Sequence, residues 1–190
     1  TDPRFVKYVA STKLPLIISL GIGTNLSTMK QIKKWILEVN DNPDITFLHC
    51  NNAYPTPYKD INLGQMTKMI DNRLGENIKI GLSDHTEGIF TPPIAVALGA
   101  EVIEKHYTIN RSLPGPDHPF AIEPDELSDM VKNIRLAETM LSTKDDQYTD
   151  SEEKFSMARR SVVSKVNLKK GDVLTKDNIT TMRPLLEDSI

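Results

Sequence analysis

A strand-then-helix period recurs four times before residue 142, and it constrains the fold more than any other feature of this chain. The first unit opens with residues 14–19, Leu-Pro-Leu-Ile-Ile-Ser. This short apolar run lacks alternation, as expected of a strand buried on both faces. A helix follows. Thr28 and Gln31 have capping-box spacing, and Ile32, Trp35, Ile36 and Val39 share one helical face. The turn at residues 40–43 ends that helix. The second strand spans residues 45–50 and runs into a polar loop, 51–60. Its helix groups Leu63, Met66, Ile70 and Leu74 and stops at Gly75. The third strand, 78–83, leads into Asp84-His85-Thr86-Glu87-Gly88. Its helix is predicted to start with Thr91 as N-cap and Pro92 in the first turn, and to end at Gly99. The fourth strand spans 102–107, and a Pro- and Gly-rich loop follows at 110–123. The last helix runs over 124–141, with Leu127, Met130, Val131, Ile134 and Leu141 on its core side.

Strands alternating with helices imply right-handed βαβ units and a parallel sheet. Four such units fit half of a barrel or part of a doubly wound sheet, and periodicity alone leaves both open. A complete (β/α)8 barrel needs ~250 residues, and this chain has 190. It opens on Thr1-Asp2-Pro3 without an initiator Met, which fits a longer parent chain. Residues 142–158 are charged and poor in apolar side chains, the texture of a linker. Beyond them Ser161-Val162-Val163-Ser164 is strand-like, 167–172 is a turn, and Thr175 opens a helical turn through Ile179. A segment of about 30 residues buries too little surface to be stable alone. It is expected to be incomplete or docked.

Composition narrows the function classes. The net charge is −3 with both signs interspersed, so there is no basic footprint for nucleic acid. The longest apolar stretches fall well short of the ~20 residues that span a bilayer. Cys50 is the single cysteine, which excludes an internal disulfide framework and makes a reducing, cytoplasmic setting the expectation.

Polar residues gather at one end of the strands. Ser19, Asn52, Tyr54, Ser83, Asp84, His85, Glu104 and His106 all lie at or just beyond strand carboxyl ends. In parallel α/β folds ligands bind at that edge. His85 and His106 come from consecutive strands, one βα unit apart, so they can converge above the sheet. Two imidazoles suit a divalent transition metal. The plainer alternative is one loop histidine and one hydrogen-bonded strand histidine. His49, inside its strand, reads as a satisfied core histidine, and Cys50 as a small buried hydrophobe. His118 lies in a loop, where a surface role and a substrate contact are both open. The hydroxyls of Ser19 and Ser83 and the amide of Asn52 can bind phosphate, although strand-end capping also accounts for them. Glu104 and Lys105 are unusual inside a strand, because charges there are costly unless paired. Burial at a strand end beside a metal would explain Glu104. Lys105 is expected to point the other way, to solvent or to an acidic partner.

Three stretches together resemble the N-acetylneuraminate (sialic acid) synthase family. They are His49-Cys50-Asn51-Asn52-Ala53-Tyr54-Pro55-Thr56-Pro57, Gly81-Leu82-Ser83-Asp84-His85-Thr86-Glu87-Gly88, and Glu104-Lys105-His106-Tyr107-Thr108 followed by Gly115-Pro116-Asp117-His118. Arg160-Ser161-Val162-Val163 with 168–174 looks like the opening of the antifreeze-like (SAF) domain of that family. The resemblance implies the C-terminal half of a (β/α)8 TIM barrel over residues 1–141, a linker at 142–158, and a partial SAF domain at 159–190. It implies condensation of phosphoenolpyruvate with N-acetylmannosamine or a related amino sugar, giving a nonulosonic acid and phosphate. Manganese or magnesium would be held by His85 and His106, which with Glu104 form the catalytic set. Ser19, Asn52 and Ser83 match positions that hold phosphoenolpyruvate, and Tyr54, Glu104 and Asp117 match positions around the sugar.

Departures from the family pattern bear on activity. Four N-terminal βα units are not in this chain, nor are the lysines expected from them to neutralise the phosphate. Leu20-Gly21-Ile22-Gly23-Thr24 replaces the usual Thr-Gly-Met run after Ser19, and Leu185-Leu186-Glu187 follows Arg183-Pro184 where Pro-Gly is usual. The SAF stretch covers roughly half of that domain, which in the family reaches across a homodimer to the other protomer. Two readings share every motif. One is a synthase represented by part of its chain. The other is a non-catalytic piece that only assembles with a complementary half-barrel. A different metal-dependent aldolase is disfavoured by the barrel-then-SAF order.

Overall fold

The computed structural model describes residues 2–23, 25–75, 77–142 and 149–186. The chain forms two compact units, Thr1–Ser142 and Thr143–Ile190. The first has an α/β architecture. Helix α1 (Pro3–Ser11) precedes strand β1 (Leu16–Leu20). Helix α2 (Leu26–Leu37), β2 (Ile45–Cys50), α3 (Leu63–Asp71), β3 (Ile78–Asp84), α4 (Thr91–Ala97), β4 (Val102–Lys105) and α5 (Pro124–Met140) follow. The four strands pair in sequence order, β1-β2-β3-β4, and every pairing is parallel.

Register assigns side chains to faces. Ser19 lies opposite Leu48, Cys50 opposite Ser83, and Ser83 opposite Glu104. With a side-chain period of 2, these residues share one face. The other face carries Leu16, Leu20, Ile45, Phe47, Ile78, Ile80 and Leu82. They form one core with Ala10 of α1, Met29, Ile32 and Ile36 of α2, Met66 and Met69 of α3, and Ala95 of α4. Helices α1 to α4 thus all pack on the same side of the sheet. On the opposite side Ile17 is 61% exposed.

Several local expectations needed correction. Helix α1, led by the Asp2 cap and Pro3, was not legible beforehand. Helix α2 is capped by Asn25, not by a Thr28–Gln31 box: the Asn25 side chain accepts from the amides of Ser27 and Thr28. The Asn25 amide oxygen, one residue ahead of Leu26, captures the free N–H groups earlier in the chain than Thr28 could. Thr91 is the first helical residue of α4, after Phe90. Its hydroxyl bonds Thr86 instead of capping, at 2.8 Å. Strand β1 begins two residues later than predicted. Strand β4 stops at Lys105, and Tyr107 makes a separate bridge to Ile122. In α5 only Met130 is buried, while Val131 and Leu141 are exposed.

The second unit holds a short helix α6 (Asp150–Glu153), a 3-10 turn at Ser156–Ala158, and an antiparallel pair, β5 (Ser161–Ser164) with β6 (Ile179–Met182). Strand β6 was not foreseen, and the two helical turns fall where a bare linker was expected. Part of that linker, 143–148, lies outside the described residues. Ser161 is fully buried; its hydroxyl donates to the Pro184 carbonyl and accepts from the Leu186 amide.

Candidate active site

Strand-end geometry gathers the polar residues above β2, β3 and β4. The rings of His85 and His106 stand edge to face with centroids 5.2 Å apart. Tyr54 packs against both, at 4.2 Å from His85 and 5.7 Å from His106. Phe120 completes the cluster, 5.0 Å from His106 and 5.8 Å from Tyr54. Nothing in the motif spacing pointed to Phe120, because it arrives from a 3-10 turn well beyond β4.

His85 is buried and held at both ends. Its carbonyl accepts from the Thr56 amide at 2.8 Å. Its Nδ1 lies 2.7 Å from the Asn51 carbonyl. A carbonyl can only accept, so Nδ1 is the protonated nitrogen of this contact, which leaves Nε2 as the nitrogen able to present a lone pair. That tautomer is the one suited to ligate a metal. Nδ1 of His106 is 3.8 Å from the Asp117 carboxylate. Among the described residues no group of three or more His, Cys, Asp or Glu side chains converges as a metal cage. The two imidazoles, with ring centroids 5.2 Å apart, are the donors that could hold a divalent ion there.

Glu104 stands on the same face as the serines. Ser83 donates to its carboxylate at 2.7 Å and Ser19 at 3.3 Å. Glu104 is exposed, which corrects the expected burial at the strand end. The two hydroxyls expected to serve a phosphate are here turned to this carboxylate. Asn52 reaches the other way: its Oδ1 accepts from the Ile22 amide at 2.8 Å and its Nδ2 lies 3.4 Å from the Tyr54 hydroxyl. A cavity of about 540 Å³ opens beside Cys50, Asn51 and Asn52, toward Gly21, Asn62 and Gln65.

Cys50 is half-buried on the site face, 4.0 Å from Nδ1 of His85. It is thus no ordinary core thiol. Burial pushes its pKa up, the neighbouring Ser83 hydroxyl offsets part of the rise, and the nearby Glu104 charge adds to it. His49 is the satisfied core histidine expected, with Nε2 2.7 Å from the Ile61 carbonyl. His118 faces Thr108, Nδ1 to hydroxyl at 2.7 Å, apart from the pair of histidines. Lys105 points away from the site and finds its acidic partner in Asp84, both side chains almost wholly buried.

The first unit is thus an α/β protein with a parallel sheet, helices on one face, and two histidines, a carboxylate and hydroxyls gathered at its strand carboxyl ends. Comparison with known proteins makes the class specific. The NeuB family pattern matches residues 1–146, and the chain belongs to that family. An uncharacterized protein of Methanocaldococcus jannaschii is 44% identical over 93% of this chain and 51% of its own length. The N,N'-diacetyllegionaminic acid synthase of Legionella pneumophila is 37% identical over 97% of this chain and 52% of its own. Among solved structures, the N-acetylneuraminic acid synthetase of Leptospira borgpetersenii superposes with a TM-score of 0.69 at 31% identity, over 80% of this chain and 51% of that one. The chain spans about half the length of these relatives. No helix among the described residues is long and apolar enough to cross a membrane.

Proposed function

We propose that this chain is the C-terminal half of a (β/α)8 synthase that joins phosphoenolpyruvate to N-acetylmannosamine or a related N-acetylated amino sugar. The products are a nonulosonic acid and inorganic phosphate. The observation that carries this reading is the convergence of His85, His106, Glu104, Ser83 and Tyr54 at the carboxyl edge of a sheet whose helices lie on one face only. A doubly wound sheet would have helices on both faces, so this one-sidedness supports the half-barrel. The relatives named as nonulosonic acid synthases support the reaction.

In the proposed reaction C3 of phosphoenolpyruvate attacks the aldehyde carbon of the open-chain sugar. Water adds at C2, and phosphate leaves with C–O cleavage. His85 and His106 would hold the ion through ring nitrogens. Manganese or magnesium, when bound, supplies Lewis-acid polarisation of the aldehyde oxygen. Glu104, which accepts from both serine hydroxyls, is the carboxylate of the catalytic set. Asn52 and the serines, whose hydroxyls must turn from Glu104 to do so, bind the phosphoenolpyruvate, and Tyr54 and Asp117 flank the sugar. Residues 159–190 are read as the opening of a SAF domain, the whole protein as a homodimer exchanging that domain, and the setting as cytoplasmic.

Phosphate release from phosphoenolpyruvate and N-acetylmannosamine with manganese tests the reading. The chain alone is expected to release none detectable, since the cationic phosphate contacts belong to the other half-barrel and loss of even one preorganised donor costs ~10²–10³ in rate. A matching N-terminal half should restore part of the activity. Robust turnover by the chain alone would overturn the division of labour. No recovery with a stably associated half would favour the second reading, a non-catalytic assembling piece. That reading is supported by the position of β1 and β4 as the sheet's two edges.

A further inference from the structure

The Asp84–Lys105 ion pair is the last tie between the two strands that carry the histidines, and nothing in the proposed reaction uses it. Asp84 and Lys105 are register partners where the β3–β4 ladder ends. Each histidine follows its ion-pair residue by one position, beyond the ladder. There the two backbones part: the His85 carbonyl accepts from Thr56, and the His106 carbonyl accepts from Ile122. The relative placement of the two rings therefore depends on what joins the strands just before them.

The join is a buried clamp. Lys105 Nζ donates to Asp84 Oδ2 at 2.7 Å and to the Thr86 carbonyl at 2.7 Å. Asp84 Oδ1 accepts from the Thr86 amide at 2.9 Å. The Thr86 hydroxyl bonds that of Thr91, which anchors the clamp to α4. One ammonium thus grips the residue before His85 and the residue after it, while its own backbone leads directly into His106. The side chains of Lys105 and Asp84 are 4% and 0% exposed. Alternation along the strands explains the design: Ser83 and Glu104 face the site, so their successors face the helix layer, where water cannot compete for the pair.

We propose that Asp84 and Lys105 are positioning residues that set the spacing of the His85 and His106 imidazoles, and thereby the affinity for a divalent cation. The inference rests on the two-histidine metal reading. Manganese affinity of the 190-residue chain, by calorimetry, is the primary readout. Melting temperature and histidine ring NMR of the metal-free chain are the others. Asp84→Asn and Lys105→Met should each weaken manganese binding by about 10–100-fold, the range for groups that orient metal ligands, and should shift or broaden the ring signals of both histidines. The double variant removes both charges and leaves neither buried alone. It should regain much of the melting temperature but not the manganese affinity, whereas a purely structural pair would regain both. Wild-type affinity in any folded variant that lacks the pair overturns the proposal. Should the neutral variants fail to fold, Lys105→Arg takes over. It keeps the charge, but its longer, planar guanidinium must displace Asp84 or Thr86 from the places they hold around a compact ammonium, so unchanged affinity together with unchanged histidine ring signals in that variant is equally fatal. The controls are His85→Ala, which should abolish binding, and His118→Ala, which should spare it. Manganese binding that survives His85→Ala removes the metal reading itself and the proposal with it.

Discussion

At the scale of single residues, packing on the site face is unforgiving at Gly81. A Cβ built there would sit 2.2 Å from the Val102 carbonyl oxygen and 2.7 Å from a Leu48 methyl. The backbone oxygen belongs to β4, so relief requires moving the strand that carries Glu104. Gly81→Ala is expected to lower stability by about 1–3 kcal/mol, the usual range for overpacking. The urea midpoint should fall with the slope unchanged. The sequence singled out the histidines and serines because polar groups at the ends of apolar runs stand out against their neighbours. It misjudged Glu104 and Cys50, because exposure at a given position depends on which face the register assigns and on what covers it.

At the scale of elements, helix α5 is anchored by charges more than by apolar contacts. Glu123 and Glu126 form a capping box at its start. Arg111 reaches back to Glu126 and donates through Nε to the Ala121 carbonyl at 2.9 Å. This pins the loop that carries Asp117 and Phe120. The Arg111 hydrogen bond, and after it the Glu123 amide, hold the Glu126 pKa below the ordinary carboxylate value. Its contribution to stability is therefore complete above the unfolded value of ~4.3 and is lost as pH falls through the lower native value. The pair is about one-third exposed, so screening keeps the effect modest. In urea titrations between pH 2 and 7, Glu126→Gln should be less stable than wild type near neutrality, and the two curves should converge at the acid end. A constant gap across that range would deny Glu126 its role. The capping box was overlooked because its first residue is Glu, outside the usual Ser, Thr, Asp and Asn set.

At the scale of the whole molecule, the sheet's exposed edges matter most. Strands β1 and β4 lie at the two ends of the strand order. Ile17 and Leu14 near the β1 edge are 61% and 66% exposed. Unpaired edges flanked by apolar surface template association. Size-exclusion chromatography with light scattering should show a concentration-dependent shift to larger species. A strict monomer at high concentration would mean that the edges are shielded in solution.

The four βα periods, the parallel order of the strands and the site edge followed from sequence alone. Apolar runs and helical stripes report directly which residues must leave water, and a right-handed crossover leaves few topologies. The family motifs singled out His85 and His106, and the structure brings their rings within 5.2 Å of each other. Only tertiary structure decided that Lys105 meets Asp84 rather than solvent, why Phe120 joins the histidines, and that Asn25 rather than Thr28 caps α2. Each of those outcomes depends on a partner distant in sequence or on a choice among competing hydrogen-bond acceptors. Such choices are settled by which arrangement leaves the fewest buried polar groups unpaired, and among the described residues no buried side-chain nitrogen or oxygen lacks a partner.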